Sequence, residues 1–256
     1  NAKAVINAQN GLINIVPLTA DFYEGRADAS ATIDARPAAP TFRLQNNVTG
    51  VNIGQVLQAK LGEDYVTGAA NVSYNLNSAG NTMTAIRQNA GGTVNFDVGE
   101  GVINKWQLSR LLNQAIVFFE TGQIPQNVDD EIRFTSLKGT FNGQNGIFRN
   151  NDVTMTGPEV HALGEGWINL AAQNVDYTVK VGLGTQPDAG AKHLPIRISG
   201  PLSKPGYALD TQALVVNKAK EKIQEKILDK IGGDANEASP EKDAAKQLIE
   251  GLLGGQ

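Results

Sequence analysis

Few residues of this chain have the types and spacing that chemistry requires. Its two histidines, His161 and His193, fall in different strand-like contexts, with neither carboxylates nor each other at ligand spacing. Surface or loop histidines are therefore a simpler reading than a metal or catalytic pair. The Gly-x-Gly triplets at Gly99 and Gly101, Gly164 and Gly166, and Gly182 and Gly184 lack the strand-then-helix context and downstream acid of a dinucleotide site, and read as bulges or turns. Asp129, Asp130 and Glu131 form a compact acidic trio that suits a calcium ion, but a solvated loop tip after Pro125 explains it more simply. Asn47-Val-Thr49 and Asn71-Val-Ser73 match a glycosylation pattern too short to carry weight. With no Gly-x-Ser-x-Gly elbow and no cysteine, the expectation is no catalytic residue, no metal, no cofactor and no enzyme.

What recurs instead is strict alternation of apolar and polar residues in short runs broken by Gly, Asn or Pro, the pattern of strands with one face on an apolar surface. "GAANVSYNL" sets Val72, Tyr74 and Leu76 on one side, and "TVNFDVGEG" does so with Val94, Phe96 and Val98. "LKGTFNGQNGIFRNNDVTMTG" offers Phe141, an Asn145-Gly146 hairpin turn, then Ile147 and Met155. Ile168 and Leu170, then Tyr177, Val179 and Val181, then Ile196 and Ile198 continue the series. These sixteen residues are the candidate lining of one apolar surface. Pattern alone leaves two readings of it, a packed core under a helix or an open trough, and the packed core is the simpler.

Three segments break the alternation. "VNIGQVLQAKLG" (51–62) predicts a short helix ending at Gly62, and 104–120 a longer one with Asn104 as its cap. From 211 to 231, Val215, Ala219, Ile223, Ile227 and Ile231 stand four apart beside a lysine row and an acidic row, an amphipathic helix capped by Asp210. A linker and short terminal helix follow over 232–256, and the β-rich part is 1–210. In "LPIRISGPLSKPGYALD", Leu194 to Ser199 reads as the last rung of the sheet, with Gly200-Pro201 and Pro205-Gly206 preventing further pairing. The helix after it would then cover the sheet's edge.

At 256 residues the chain can bury a sizeable core, and 28 glycines beside 6% aromatics suit many turns rather than a bundle. A net charge of −4 without a basic stretch excludes nucleic acid as a partner. No run approaches the roughly 20 apolar residues of a membrane span. The chain opens on "NAKAVINAQNGLINI", already alternating, which suggests a piece of a longer protein whose anchor lies upstream.

Read in order, "LTADFYEGRADASATIDAR" (18–36), "VTGVNIGQVLQAKLGEDYVTGAANVSYNLNSAG" (48–80), "GGTVNFDVGEGVINKWQL" (91–108), "GEGWINLAAQNVDYTVKVGLG" and "LPIRISGPLSKPGYALD" resemble the C-terminal domain of AsmA-family proteins. The resemblance covers most of residues 12–231; Lys105-Trp106-Gln107-Leu108 departs from the family's usual turn. It implies a non-enzymatic periplasmic domain of a Gram-negative envelope protein, anchored in the inner membrane by an upstream segment. It further implies phospholipid as partner, carried by its acyl chains in an apolar β-groove between membranes, with a part in outer-membrane biogenesis and contact with outer-membrane components. The resemblance thus favours the trough: a mainly β fold with peripheral helices, its curled, largely antiparallel sheet closed off by the C-terminal helix. The alternative is a protein-interaction module without lipid, offering an edge strand or the tail helix. A carbohydrate-binding domain is the weakest reading, since only Trp106 and Trp167 could serve as platforms.

Overall fold

Twelve strands form one continuous antiparallel sheet in the computed structural model, which describes residues 1–62, 64–104, 131–185 and 193–210. In chain order the first six are β1 (Ala2–Gln9), β2 (Leu12–Phe22), β3 (Gly25–Asp34), β4 (Thr41–Asn52), β5 (Ala69–Ala79) and β6 (Gly91–Val98). A separate two-stranded ribbon follows, β7 (Gly101–Asn104) with β8 (Glu131–Phe134). The large sheet resumes with β9 (Ser136–Gln144), β10 (Ile147–Thr156), β11 (Val160–Asn169), β12 (Asn174–Leu183), β13 (Leu194–Pro201) and β14 (Gly206–Leu209). Within it each strand pairs with its neighbour in sequence, β6 pairing β9 across the ribbon. β1 and β14 stay apart, so the sheet curls without closing into a barrel.

Tight turns follow the residues that tolerate positive φ. Asn10-Gly11 (φ 49° and 77°) joins β1 to β2 and Asn145-Gly146 (51° and 75°) joins β9 to β10, both in the left-handed geometry that matches strand twist. Tyr23-Glu24 makes the same turn between β2 and β3 at 45° and 69°, although neither residue is suited to it. Three bulges, at Ile15/Leu18 in β2, Val48/Val51 in β4 and Asn150/Val153 in β10, each insert one residue and raise the local twist that curls the sheet.

The first predicted helix is α1, Ile53–Leu61; Val51 and Asn52 remain in β4. Asn52 Oδ1 accepts from the Gln55 amide at 3.2 Å, and Gly62 (φ 79°) ends the helix by donating to the Gln58 carbonyl. A six-residue helix, α2 (Met83–Gln88), capped by Thr82, fills the β5–β6 connection and was not evident in the pattern. The reading of Leu194–Ser199 as the last rung is corrected. β14 pairs with β13 from Ile196↔Leu209 to Ser199↔Gly206, because Pro201 lies beyond that stretch and Pro205 sits in the intervening turn, where neither removes a needed donor.

The chain divides into two compact units, Asn1–Leu209 and Asp210–Gln256, and of the second only Asp210 is described. The helices predicted over 104–120, 211–231 and within 232–256, the Lys105–Leu108 departure, and Asp129 and Asp130 lie outside the described residues, apart from Asn104 at the end of β7. Among the described residues no helix is long and apolar enough to cross a membrane.

Candidate functional site: one apolar face of the sheet

Residues directly opposite in an antiparallel ladder share a face, and the next residue along faces the other way. Followed strand by strand, this rule separates the sheet into two chemically different sides. One row runs Leu18, Ala29, Asn46, Tyr74, Val94 and Phe141 from β2 to β9. Beyond the β10 bulge the same face carries Gly166, Tyr177, Ile198 and Tyr207. Parallel rows hold Val48, Val72 and Phe96, and Leu44 and Leu76. The opposite face of β4 to β6 carries Arg43, Gln45 and Asn47, Ser73 and Asn75, and Thr93 and Asn95.

Fourteen of the sixteen predicted lining residues fall on the apolar side or its continuation: Val72, Tyr74, Leu76, Val94, Phe96, Val98, Phe141, Met155, Ile168, Tyr177, Val179, Val181, Ile196 and Ile198. Two do not. Ile147 pairs with Gln144 and Asn169 and faces the polar side, its place being taken by Phe148. Leu170 lies beyond the end of β11, in the turn to β12. The sequence reading also stopped short at the N-terminal end, where Phe42, Leu44 and Val48 of β4 extend the face by the same alternation.

Exposure along this face is graded. Beside the β7–β8 ribbon, Ala70 of β5, Val98 of β6, Met155 of β10, Val181 of β12 and Ile196 of β13 are buried in a cluster with Ile103, Ile132 and Phe134 of that ribbon, so they belong to a packed core. From β4 to β6, Leu44, Val48, Val72, Leu76 and Val94 are only half-buried, while most polar residues between them are exposed. At β1 every residue is exposed and Ile6 reaches 61%.

Glycines within the strands let aromatic rings lie down on the sheet. Gly164 and Gly166 are interior to β11, not turns, and the Tyr177 ring covers both; a methyl group at Gly164 would stand 2.7 Å from Tyr177 Oη. Phe148 likewise lies over Gly143. Phe141 meets Phe96 and Tyr177 at ring-centroid separations of 6.2 Å each, joining β6, β9 and β12 through one aromatic run.

Two tyrosine–asparagine couples interrupt the apolar face. Tyr177 Oη donates to Asn150 Oδ1 at 2.6 Å, and the buried Asn150 amide donates to the Thr140 carbonyl at 2.8 Å and to Asp152 at 2.6 Å. Burial, with Asp152 and Glu165 adding negative charge, pushes the Tyr177 hydroxyl pKa well above its ordinary value. In the second couple the donor is reversed: Asn46 Nδ2 donates to Tyr74 Oη at 2.9 Å, and Asn46 Oδ1 is buried without a partner.

The polar face carries cross-strand ion pairs, among them Arg197 on Asp176 at 2.8 and 3.0 Å and Lys180 with Glu165 at 2.6 Å. The Arg197 hydrogen bond lowers the Asp176 pKa, and that of Arg36 holds Asp34 down to about 2. A shallow depression of about 570 Å³ on this side is walled by Gln45, Asn47, Ser73, Asn75, Thr93 and Asn95 among others. The histidine reading is corrected here. β12 brings β11 and β13 within reach, so His161 Nε2 and His193 Nε2 stand 3.1 Å apart over Gly182. Buried His161 fixes its tautomer by donating Nδ1–H to the Gly184 carbonyl at 3.1 Å, which leaves Nε2 to accept from His193. No group of three or more metal-ligating side chains occurs among the described residues.

The family model described as the AsmA family matches residues 1–153, more than half of the chain. The chain belongs to the AsmA family. It is 21% identical over 252 residues to Protein AsmA of Escherichia coli (strain K12), an alignment that takes in 94% of this chain and 40% of that protein. The AsmA-family match ends within β10, so it contains β1 to β9, with the half-buried residues of β4 to β6, and stops short of β11 to β14. No solved structure matches significantly.

Proposed function

We propose that this chain is a non-enzymatic lipid-holding section of an AsmA-family protein of the bacterial envelope, binding phospholipid acyl chains along its apolar sheet face. The observation that carries the reading is the half-burial of Leu44, Val48, Val72, Leu76 and Val94. A closed core would bury them, whereas a solvated face would not be apolar at nearly every second position of three adjacent strands, Asn46 being the polar exception on β4. Each methylene removed from water against this wall contributes about 0.8 kcal/mol, so an acyl chain can be held without a specific polar contact. Twelve strands at about 4.8 Å spacing give a track of roughly 53 Å, longer than a bilayer core of about 30 Å. That length supports transfer between membranes over simple membrane attachment. Placement in the periplasm, inner-membrane anchoring through an upstream segment, and a part in outer-membrane biogenesis complete the proposal, supported by family membership.

Organic extraction of the purified protein followed by mass spectrometry tests it, together with a photoreactive amino acid at Val72 or Ser73. Phospholipid should be recovered, and cross-linked from position 72 but not 73. Protein without lipid, with cross-links to another polypeptide through β1, would support the interaction-module reading instead.

A further inference from the structure

Behind the apolar face, the same cross-strand pairing lays out a second surface. One unbroken row runs Gln45, Asn75, Thr93, Asn142, Arg149 and Trp167 from β4 to β11, and the row beside it holds Asn47, Ser73 and Asn95. Across β4 to β6 the two rows form a block of polar side chains without a charge, with Arg43 and Asp97 at its margins. A strand face kept only for solubility carries Lys, Arg and Glu, whereas this block carries carboxamides and hydroxyls. The depression of about 570 Å³ lies over it, and Val16 and Pro17 of the β2 bulge stand at its rim, Val16 being 54% exposed. Among the described residues, the exposed amides of Gln45, Asn47 and Asn75 take no protein partner. Each presents a donor beside an acceptor whichever way its amide is turned.

We propose that this polar face binds an extended, uncharged oligosaccharide of N-acetylated sugars, seated over the depression and running along the row to Trp167. The block selects the acetamido group. A carboxamide and an acetamido group pair through two hydrogen bonds, N–H to C=O in each direction, which a lone hydroxyl cannot reproduce. The acetamido methyl then falls against Val16 and Pro17, whose exposure beside so many amides is otherwise unused. A neutral ligand suits a neutral block, since neither side has a charge to desolvate. Farther along the row the partly buried Trp167 offers an apolar plate for the C–H face of a pyranose ring, and Arg149 beside it has donors for ring hydroxyls. Five strand spacings of about 4.8 Å separate β4 from β11, roughly 24 Å along the sheet, so the ligand is a chain of sugars and not a single one. Glycan and lipid occupy opposite faces, and neither reading depends on the other.

The test titrates the chain with chitohexaose and with cellohexaose, which share linkage and length and differ in carrying acetamido groups or hydroxyls. The wild type should bind chitohexaose about three- to tenfold more tightly, the worth of one neutral hydrogen bond. Asn47→Ala combined with Asn75→Ala, two exposed positions whose loss leaves the fold intact, should bring chitohexaose down to the affinity of cellohexaose. Trp167→Ala, with folding checked by circular dichroism, should weaken both glycans by a similar factor and keep the preference. Failure of the wild type to bind chitohexaose at millimolar concentration, equal wild-type affinity for the two glycans, or a preference that survives the double asparagine variant overturns the proposal. Phospholipid extracted from the same preparations reads the acyl-chain proposal separately, so the failure of one is distinguished from the failure of the other.

Discussion

Tyr177 Oη on β12 reaches across β11 to donate a 2.6 Å hydrogen bond to Asn150 Oδ1 on β10, its ring lying on Gly164 and Gly166 beneath. Three strands are thereby clamped at one level by a single side chain. Removing only the hydroxyl leaves the buried Asn150 oxygen without its donor. Tyr177→Phe should lose about 1–3 kcal/mol of stability, read as a lower urea midpoint with an unchanged slope.

The same hydroxyl sets an alkaline limit. Its pKa is raised in the folded chain, so the neutral form is the one the fold prefers. The associated stability is complete below the unfolded value near 10 and is lost as pH rises through the folded value. Urea midpoints of the wild type should therefore fall between about pH 10 and 11.5. In Tyr177→Phe the fall over that range should be smaller, and an equally steep decline would assign the alkaline limb to other groups.

Glycine beneath the ring is a second requirement. A methyl at Gly166, whose φ is 153°, would meet the Asp176 carbonyl and the Tyr177 backbone as well as the ring, so Gly166→Ala should cost about 2 kcal/mol or more. At Gly164 the nearest atoms are side-chain atoms of Tyr177 and Val153. Gly164→Ala should accordingly be costly in the wild type but markedly less so in a Tyr177→Ala background, a coupling that a double-mutant cycle in urea reads directly.

The apolar face was legible because alternation has a period of two and needs no partner to be seen. The failures have equally definite causes. Ile147 has the same parity as Met155 in the sequence, but the extra residue at the β10 bulge shifts parity, so Phe148 and Asn150 share the face with Val153 and Met155. The His161–His193 contact joins residues 32 apart through strand order, which local spacing does not encode. Tyr177 with Asn150 is a similar case. The β7–β8 ribbon, at four residues a strand, is too short for alternation to register, yet its Ile103, Ile132 and Phe134 turn part of the predicted lining into core. Gly164 and Gly166 read as bulge or turn glycines because a sequence shows the missing side chain and not the ring above it.

The β2–β3 turn offers a gain in stability. Glu24 holds φ at 69°, a left-handed conformation that costs a non-glycine residue about 1 kcal/mol. Its carboxylate accepts from Gln55 at 2.5 Å, an exposed contact that offsets only part of this. Glu24→Gly should raise the thermal midpoint by a degree or two. Gly11→Ala, at φ 77° and with Arg36 Cγ 3.0 Å from the added methyl, should lower it.

Adjacent residues on β6 give a direct test of which face holds lipid. Val94 pairs with Tyr74 and Phe141 on the apolar side, whereas Thr93 pairs with Asn75 and Asn142 on the polar side. Glutamine at either position changes side-chain length similarly and adds no charge. At 94 its amide must lie against acyl chain and forgo water, at a cost of about 1–3 kcal/mol to the bound state. At 93 it remains solvated among other amides. Val94→Gln should therefore reduce lipid recovered per mole of folded protein roughly five-fold or more, and Thr93→Gln should leave it unchanged. Circular dichroism and urea midpoints establish that both variants are folded before the lipid is counted. Equal lipid content in the two would remove β6 from the binding surface, and a loss confined to Thr93→Gln would place the ligand on the polar side, over the depression walled by Gln45, Asn47 and Asn75.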